Sequence, residues 1–185
     1  MLQAARTRIS AAEYYQLPEY AQRDLIQLID GEVVIGMPPV PKHQRIVREV
    51  FFLLISISKS KGGEALSAPI EVQLDDHNVF EPDVLYLRPG SRCAVGDKRL
   101  TGAPDLVVEV LSPGTARYDR QQKYEAYQAH GVSEYWIVDP VHEVVEVWTL
   151  GAGGAFQRQG AFAGEDTFRS VVLDETVSAK AIFGA

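Results

Sequence analysis

Glu109 stands inside the apolar run Leu106-Val107-Val108-Glu109-Val110-Leu111, bounded by Pro104-Asp105 and Ser112-Pro113-Gly114. A run of that length between turn residues reads as a buried strand. A carboxylate there gives up its water, at a cost of several kcal/mol, unless a cation, a donor or a proton compensates it. Glu109 therefore needs a partner. A core glutamate satisfied by an arginine or by backbone donors meets that need as well as a functional acid does, so the rest of the chain must decide.

Asp83 is the second acid. It opens Asp83-Val84-Leu85-Tyr86-Leu87, a strand earlier in the chain, in which Asp83, Leu85 and Leu87 share a face by period-two alternation. Val107, Glu109 and Leu111 share a face in the same way. If the two strands pair with the acids in register, both carboxylates reach one divalent cation. Mg²⁺ suits such a pair, because it takes one or two carboxylates, keeps several waters and binds substrate phosphate directly. Lys123 is the third candidate, in the helical stretch Asp119-Arg120-Gln121-Gln122-Lys123-Tyr124-Glu125-Ala126-Tyr127. An ammonium beside the metal would orient the attacking water and offset charge in a phosphorane-like transition state. The alternative is an i,i+4 pair with Asp119 on a solvated face, worth a few tenths of a kcal/mol.

These residues need a scaffold. Ser10-Ala11-Ala12-Glu13 has the capping-box pattern and predicts a short helix from Ala11 to about Gln16. Leu25 to Ile29 and Glu32 to Ile35 flank Asp30-Gly31, a hairpin signal. Ile46, Val47, Val50, Leu53, Leu54 and Ile57 recur at helical spacing within Lys42 to Lys59, and Gly62-Gly63 stops the helix. Strands are expected at Ile70 to Leu74 and Val84 to Leu87, followed by a loop of about fifteen residues, long enough to be functional or mobile. After Glu109 a second helix is expected from Tyr118 to His130, then strands at Glu134 to Val138 and Val144 to Leu150, and a weaker hairpin ending near Leu173. This order predicts a mixed sheet flanked by helices, α/β or α+β, with residues 1–185 forming a single domain.

The 185 residues, 46% hydrophobic and 23% charged, fit an ordinary globular protein with a proper core. Cys93 is the only cysteine, which excludes an intrachain disulfide or cysteine-based zinc site. No segment reads as a signal peptide or a bilayer span, so a cytoplasmic location and no membrane partner are expected. The net charge of -7 argues against a phosphate-rich partner. Its distribution is uneven, however: residues 42–61 hold five bases and Glu49, whereas residues 64–83 hold six acids and no Lys or Arg. That places a basic element next to an acidic one, although solvated faces produce similar counts.

Pro82-Asp83, Val108-Glu109-Val110-Leu111-Ser112-Pro113, Asp119, Lys123, Tyr127 and the run Gly131 to Pro140 occur in an order that closely resembles the Uma2 family. Leu28-Ile29-Asp30-Gly31-Glu32 and His43 extend the resemblance, which runs from about Ser10 to Asp174. Uma2 proteins are assigned to the PD-(D/E)XK nuclease superfamily. The resemblance implies a restriction-endonuclease-like core, with an N-terminal helix and β-hairpin, that hydrolyses DNA phosphodiesters with Mg²⁺ or Mn²⁺. It casts Asp83 and Glu109 as catalytic metal ligands, with the Val110 carbonyl as a third, and a homodimer follows by analogy with related nucleases. Two positions depart from the pattern. Leu111 occupies the usual lysine position, which makes Lys123 the candidate replacement, and Gln27 stands where glutamate is common. His43, Glu32 and Gln27 are possible auxiliary residues; capping or packing for His43 and an exposed hairpin position for Glu32 are the competing roles. Glu71 is expected on the polar face of a strand, and Tyr124, Tyr127, Tyr135 and Trp136 either stack on bases or belong to the core. A degenerate nucleic-acid-binding or scaffold protein and a hydrolase of small phosphate esters are the rival functions.

Overall fold

The computed structural model describes residues 8–22 and 25–184. Helices α1 (Ala11–Tyr14) and α2 (Pro18–Gln22) lead into the hairpin β1 (Ile26–Ile29) and β2 (Glu32–Ile35), followed by the long α3 (Pro41–Lys61). Short strands come next: β3 (Glu64–Ser67), β4 (Val72–Gln73), β5 (Val79–Phe80), β6 (Val84–Leu87), β7 (Ala94–Val95) and β8 (Leu100–Thr101). Then β9 (Leu106–Val110), α4 (Ala116–Arg120), α5 (Gln122–His130) and β10 (Glu134–Asp139) form the middle of the fold. The chain ends with β11 (Val144–Leu150), β12 (Phe156–Ala163), β13 (Thr167–Ser170), β14 (Glu175–Ser178) and α6 (Ala179–Phe183).

The central mixed sheet has the order β12-β11-β10-β9-β6-β3, with β9 and β10 parallel and the other pairs antiparallel. Both of its faces are covered, which is why β9 reads as an almost unbroken apolar run. Leu106, Val108 and Val110 pack with Ile46, Val50 and Leu54 of α3. Val107 and Leu111 face the other way, toward Tyr127 of α5 and Phe80. Glu109 shares that second face, so the strand's alternation delivers it to α5.

The expected α/β sheet with flanking helices is present, and it is accompanied by a second six-stranded sheet, β2-β1-β5-β4-β8-β7. Several boundaries differ from expectation. The helix expected over Tyr118 to His130 starts at Ala116 and breaks at Gln121, whose φ of -125° and ψ of -86° lie outside the helical region. The expected long loop before Asp105 contains β7 and β8, and β3 and β5 were not foreseen; two- to four-residue strands are too short to show a period. The final hairpin is two hairpins, β11–β12 and β13–β14, and the second continues past Leu173 to Ser178. Among the described residues no helix is long and apolar enough to cross a membrane.

Candidate functional site

Antiparallel pairing of β6 with β9 sets Val84 opposite Val108 and Leu85 opposite Val107. One further step of that register places Asp83 opposite Glu109, on the face shared by Leu85 and Val107. Asp83 Oδ2 accepts the Val110 N–H at 2.7 Å. His43, on the first turn of α3, brings Nε2 to 3.3 Å from the same oxygen.

Glu109 is 3% exposed. Its Oε1 accepts two hydrogen bonds, from Lys123 Nζ at 2.9 Å and from the Tyr127 hydroxyl at 2.8 Å. Both donors come from α5, one turn apart, so the i,i+4 spacing that puts them on one helix face aims them at one carboxylate. Lys123 also lies 3.3 Å from Asp119 Oδ1, across the break at Gln121. The Asp119–Lys123 pair expected on a solvated face is therefore real but buried, Asp119 being 1% and Lys123 2% exposed. Each acid of the pair thus has one oxygen held by protein groups. Among the described residues, Asp83 Oδ1 and Glu109 Oε2 accept no hydrogen bond.

Burial pushes the Glu109 carboxyl up to about 8; the Lys123 ammonium opposes the shift, while Asp119 and Asp83 add to it. Burial also raises Asp119, again against Lys123. For Lys123 burial works against the charge, but Glu109 and Asp119 outweigh it and hold the ammonium above the ordinary lysine range. His43 follows the same logic. Burial disfavours its cation, and Asp83 with the Val110 carbonyl more than compensates, so its pKa is raised. One ammonium thus serves two buried carboxylates, and the pocket carries an excess of acid that a proton or a metal cation can neutralise.

The auxiliary candidates are distributed unevenly. The Gln27 side-chain oxygen accepts the Glu81 N–H at 3.0 Å, fixing the backbone just before Pro82-Asp83. Glu32 lies on β2 opposite Ile29. Glu81 was not singled out by sequence, although it adjoins the Pro-Asp pair; burial and the Glu71 charge raise its pKa, and Lys123 counteracts them. Glu71 does not sit on an exposed polar face: it is 9% exposed and accepts the Tyr20 hydroxyl at 3.0 Å. Tyr127, Tyr135 and Trp136 are fully buried core residues and Tyr124 packs against Trp148, which leaves the first three no surface on which to stack a base.

Among the described residues no group of three or more His, Cys, Asp or Glu side chains is arranged to hold a metal. Mg²⁺ does not require such a group, because it is satisfied by one or two carboxylates and completes its shell with water and phosphate. Two hard carboxylate oxygens without hydrogen bonds, on in-register strands in an acid-rich pocket, match that ion.

Comparison with known proteins bears on the scaffold. An uncharacterized protein of Synechocystis sp. is 26% identical over 142 residues, covering 75% of this chain and 80% of that protein. The crystal structure of "a putative nuclease belonging to DUF820" from Anabaena variabilis superposes with a TM-score of 0.76 at 20% identity, covering 95% of this chain and 97% of that one, and so shares the fold. Residues 11–179 match the family model described as "Uma2: Putative restriction endonuclease". A match that begins at the first helix, spans every strand of the central sheet and includes Asp83, Glu109 and Lys123 makes this chain a member of the Uma2 family.

Proposed function

We propose that this chain is a metal-dependent endonuclease acting on DNA phosphodiester bonds. One observation carries the reading: Asp83 and Glu109 stand opposite each other, each with one oxygen held by protein groups and the other without a hydrogen bond among the described residues. Asp83, Glu109 and the Val110 carbonyl are the residues that would hold Mg²⁺ or Mn²⁺, which supplies Lewis acidity toward a phosphoryl oxygen and acidifies a bound water. Asp119 fixes Lys123, and Lys123 with Tyr127 fixes Glu109. The ammonium adds positive charge where a phosphorane accumulates negative charge. α3 carries His43 to Asp83 and exposes Arg45, which has no carboxylate partner among the described residues, so we place the phosphate backbone along that face. A homodimer would offer one such site to each strand of a duplex.

The second reading, a non-catalytic relic, also rests on a specific observation: Leu111 supplies no ammonium, and Lys123 is 2% exposed between two carboxylates. Plasmid nicking with Mn²⁺ or Mg²⁺ separates the two. Asp83→Asn and Glu109→Gln are expected to reduce nicking by at least about 100-fold, several kcal/mol of transition-state stabilisation, with unchanged circular dichroism. Equal activity in wild type and both variants would end the mechanism, and salt-dependent DNA retention with neither Mn²⁺ binding nor cleavage would favour the relic.

A further inference from the structure

β2 is an edge strand: β1 covers one side, and among the described residues no strand pairs with the other. The hairpin register fixes which backbone groups that free edge presents. Gly36 N–H donates to the Leu25 carbonyl at 2.5 Å, so the pair 25/36 is hydrogen-bonded. Strict alternation then makes 27/34 and 29/32 hydrogen-bonded and 28/33 and 26/35 not. The N–H and C=O groups of Val33 and Ile35 therefore point away from β1. Their side chains are exposed too, Ile35 by 72%, and Met37 continues the apolar surface at 72%.

Edge strands are ordinarily protected by charge, proline or a bulge. Val33 to Met37 has none of these, and Pro38 and Pro39 stop the edge just beyond. Val33, Ile35, Met37 and Val40 expose on the order of 400 Å² per copy, within the range an ordinary monomer leaves uncovered. Two such surfaces total roughly 800 Å², the size of a weak, transient contact.

We infer that β2 is a self-association edge, on which two copies pair antiparallel about a two-fold axis at Val34. This register is self-complementary. Val33 meets the partner's Ile35 as a hydrogen-bonded pair on both sides of the axis, giving four backbone hydrogen bonds. Directly opposed side chains share a face, so two valines and two isoleucines close into one apolar cluster. Glu32 meets the partner's Gly36, and no like charges are opposed. Because each copy uses its single exposed β2 edge, the contact closes as a dimer and does not propagate.

Sedimentation velocity tests the dimer, and crosslinking tests its register. The wild-type protein is expected to pass from monomer to dimer between about 1 and 100 µM, the weak regime that a minimal interface implies. Ile35→Lys is expected to remain monomeric throughout while keeping the wild-type circular dichroism, since the side chain is exposed in the monomer. Val34→Cys places two thiols across the axis with Cβ atoms about 4.5 Å apart and is expected to form a disulfide-linked dimer on mild oxidation. Met37→Cys, about 20 Å from its mate in this register, is expected not to crosslink. Buried Cys93 does not compete. A wild type that stays monomeric, a dimer insensitive to Ile35→Lys, or a Val34→Cys variant that fails to crosslink would each overturn the inference, and none of these outcomes depends on nuclease activity.

Discussion

Replacing Lys123 with methionine tests the electrostatic heart of the site without presupposing any catalysis. Methionine nearly preserves volume and keeps an unbranched side chain, so packing against Phe80 changes little. What disappears is the ammonium 2.9 Å from Glu109 and 3.3 Å from Asp119, in a pocket where all three groups are at most 3% exposed. Removing one partner of a buried ion pair costs about 3–5 kcal/mol because the remaining charge is uncompensated. Here two carboxylates are left facing each other, and both are already raised by burial. Protonation relieves them, so the cost must depend on pH. At pH 8 the full 3–5 kcal/mol is expected; at pH 5, where one or both carboxyls are neutral, about 1–2 kcal/mol remains from lost hydrogen bonds. Urea unfolding followed by the fluorescence of Trp136 and Trp148 measures this directly. With an m-value of roughly 2 kcal/mol/M, the midpoint should fall by about 1.5–2.5 M at pH 8 and by less than about 1 M at pH 5. Equal losses at both pH values, or no loss at pH 8, would refute the claim that a buried charge cluster holds Glu109 in place.

The metal-free protein should lose stability as pH rises. Glu109 is raised from 4.5 to about 8, and such a group binds its proton more tightly when folded, so its contribution is complete below about pH 4.5 and disappears as pH passes about 8; His43 and Asp119 are raised as well and act in the same direction. The urea midpoint should therefore fall between pH 5 and pH 8, and Glu109→Gln should remove most of the fall; a wild-type midpoint that rises over this range would reverse the assigned sign. Glu134→Ala should cost about 3–5 kcal/mol at neutral pH, visible as a drop in melting temperature of roughly 10 °C, because it leaves four donors without an acceptor, those of Trp136, Ser170 and Val172 being buried. A drop of less than about 3 °C would show that water takes over those bonds.

What was legible in the sequence is what local chemistry enforces. Asp30 and Gly31 have φ of 51° and 76°, the paired positive values of a tight hairpin turn that an Asp-Gly dipeptide signals. Ser10 and Glu13 form both bonds of the capping box. Period-two alternation was enough to give each acid its face on its own strand, but whether the two strands pair in register was open in the sequence; antiparallel pairing about Val84 and Val108 is what leaves Asp83 and Glu109 opposite each other. The remaining features depend on tertiary structure. Nothing around Gln121 resembles a helix breaker, yet the helix breaks there, and residues on either side, Asp119 and Lys123, pair across it. An Asp-x-x-x-Lys spacing reads the same on a solvated face and in a buried pocket; only the sheet packed beneath distinguishes them. Tyr127 likewise reads as core from sequence, and it is core, but its hydroxyl also donates to Glu109.

The limits of reading one buried acid are clearest in Glu134, which has the same local signature as Glu109. It sits in Glu134-Tyr135-Trp136-Ile137-Val138, is 0% exposed, and occupies the strand that lies parallel to β9. Both glutamates pay the cost of burial, and in both burial raises the pKa. The difference lies in their donors. Glu134 Oε1 accepts Trp136 Nε1 at 2.6 Å, and Oε2 accepts the Ser170 hydroxyl and the Val171 and Val172 N–H groups, so the protein satisfies both oxygens and the carboxylate ties β10 to the segment after β13. Glu109 has two donors on Oε1 and, among the described residues, no hydrogen bond on Oε2. A buried acid whose oxygens are all matched is a structural joint, and replacing it should cost stability alone. One held by a single oxygen, opposite a second acid held the same way, has coordination left to give, and that remaining valence, more than burial itself, is what makes Glu109 and Asp83 candidates for a metal.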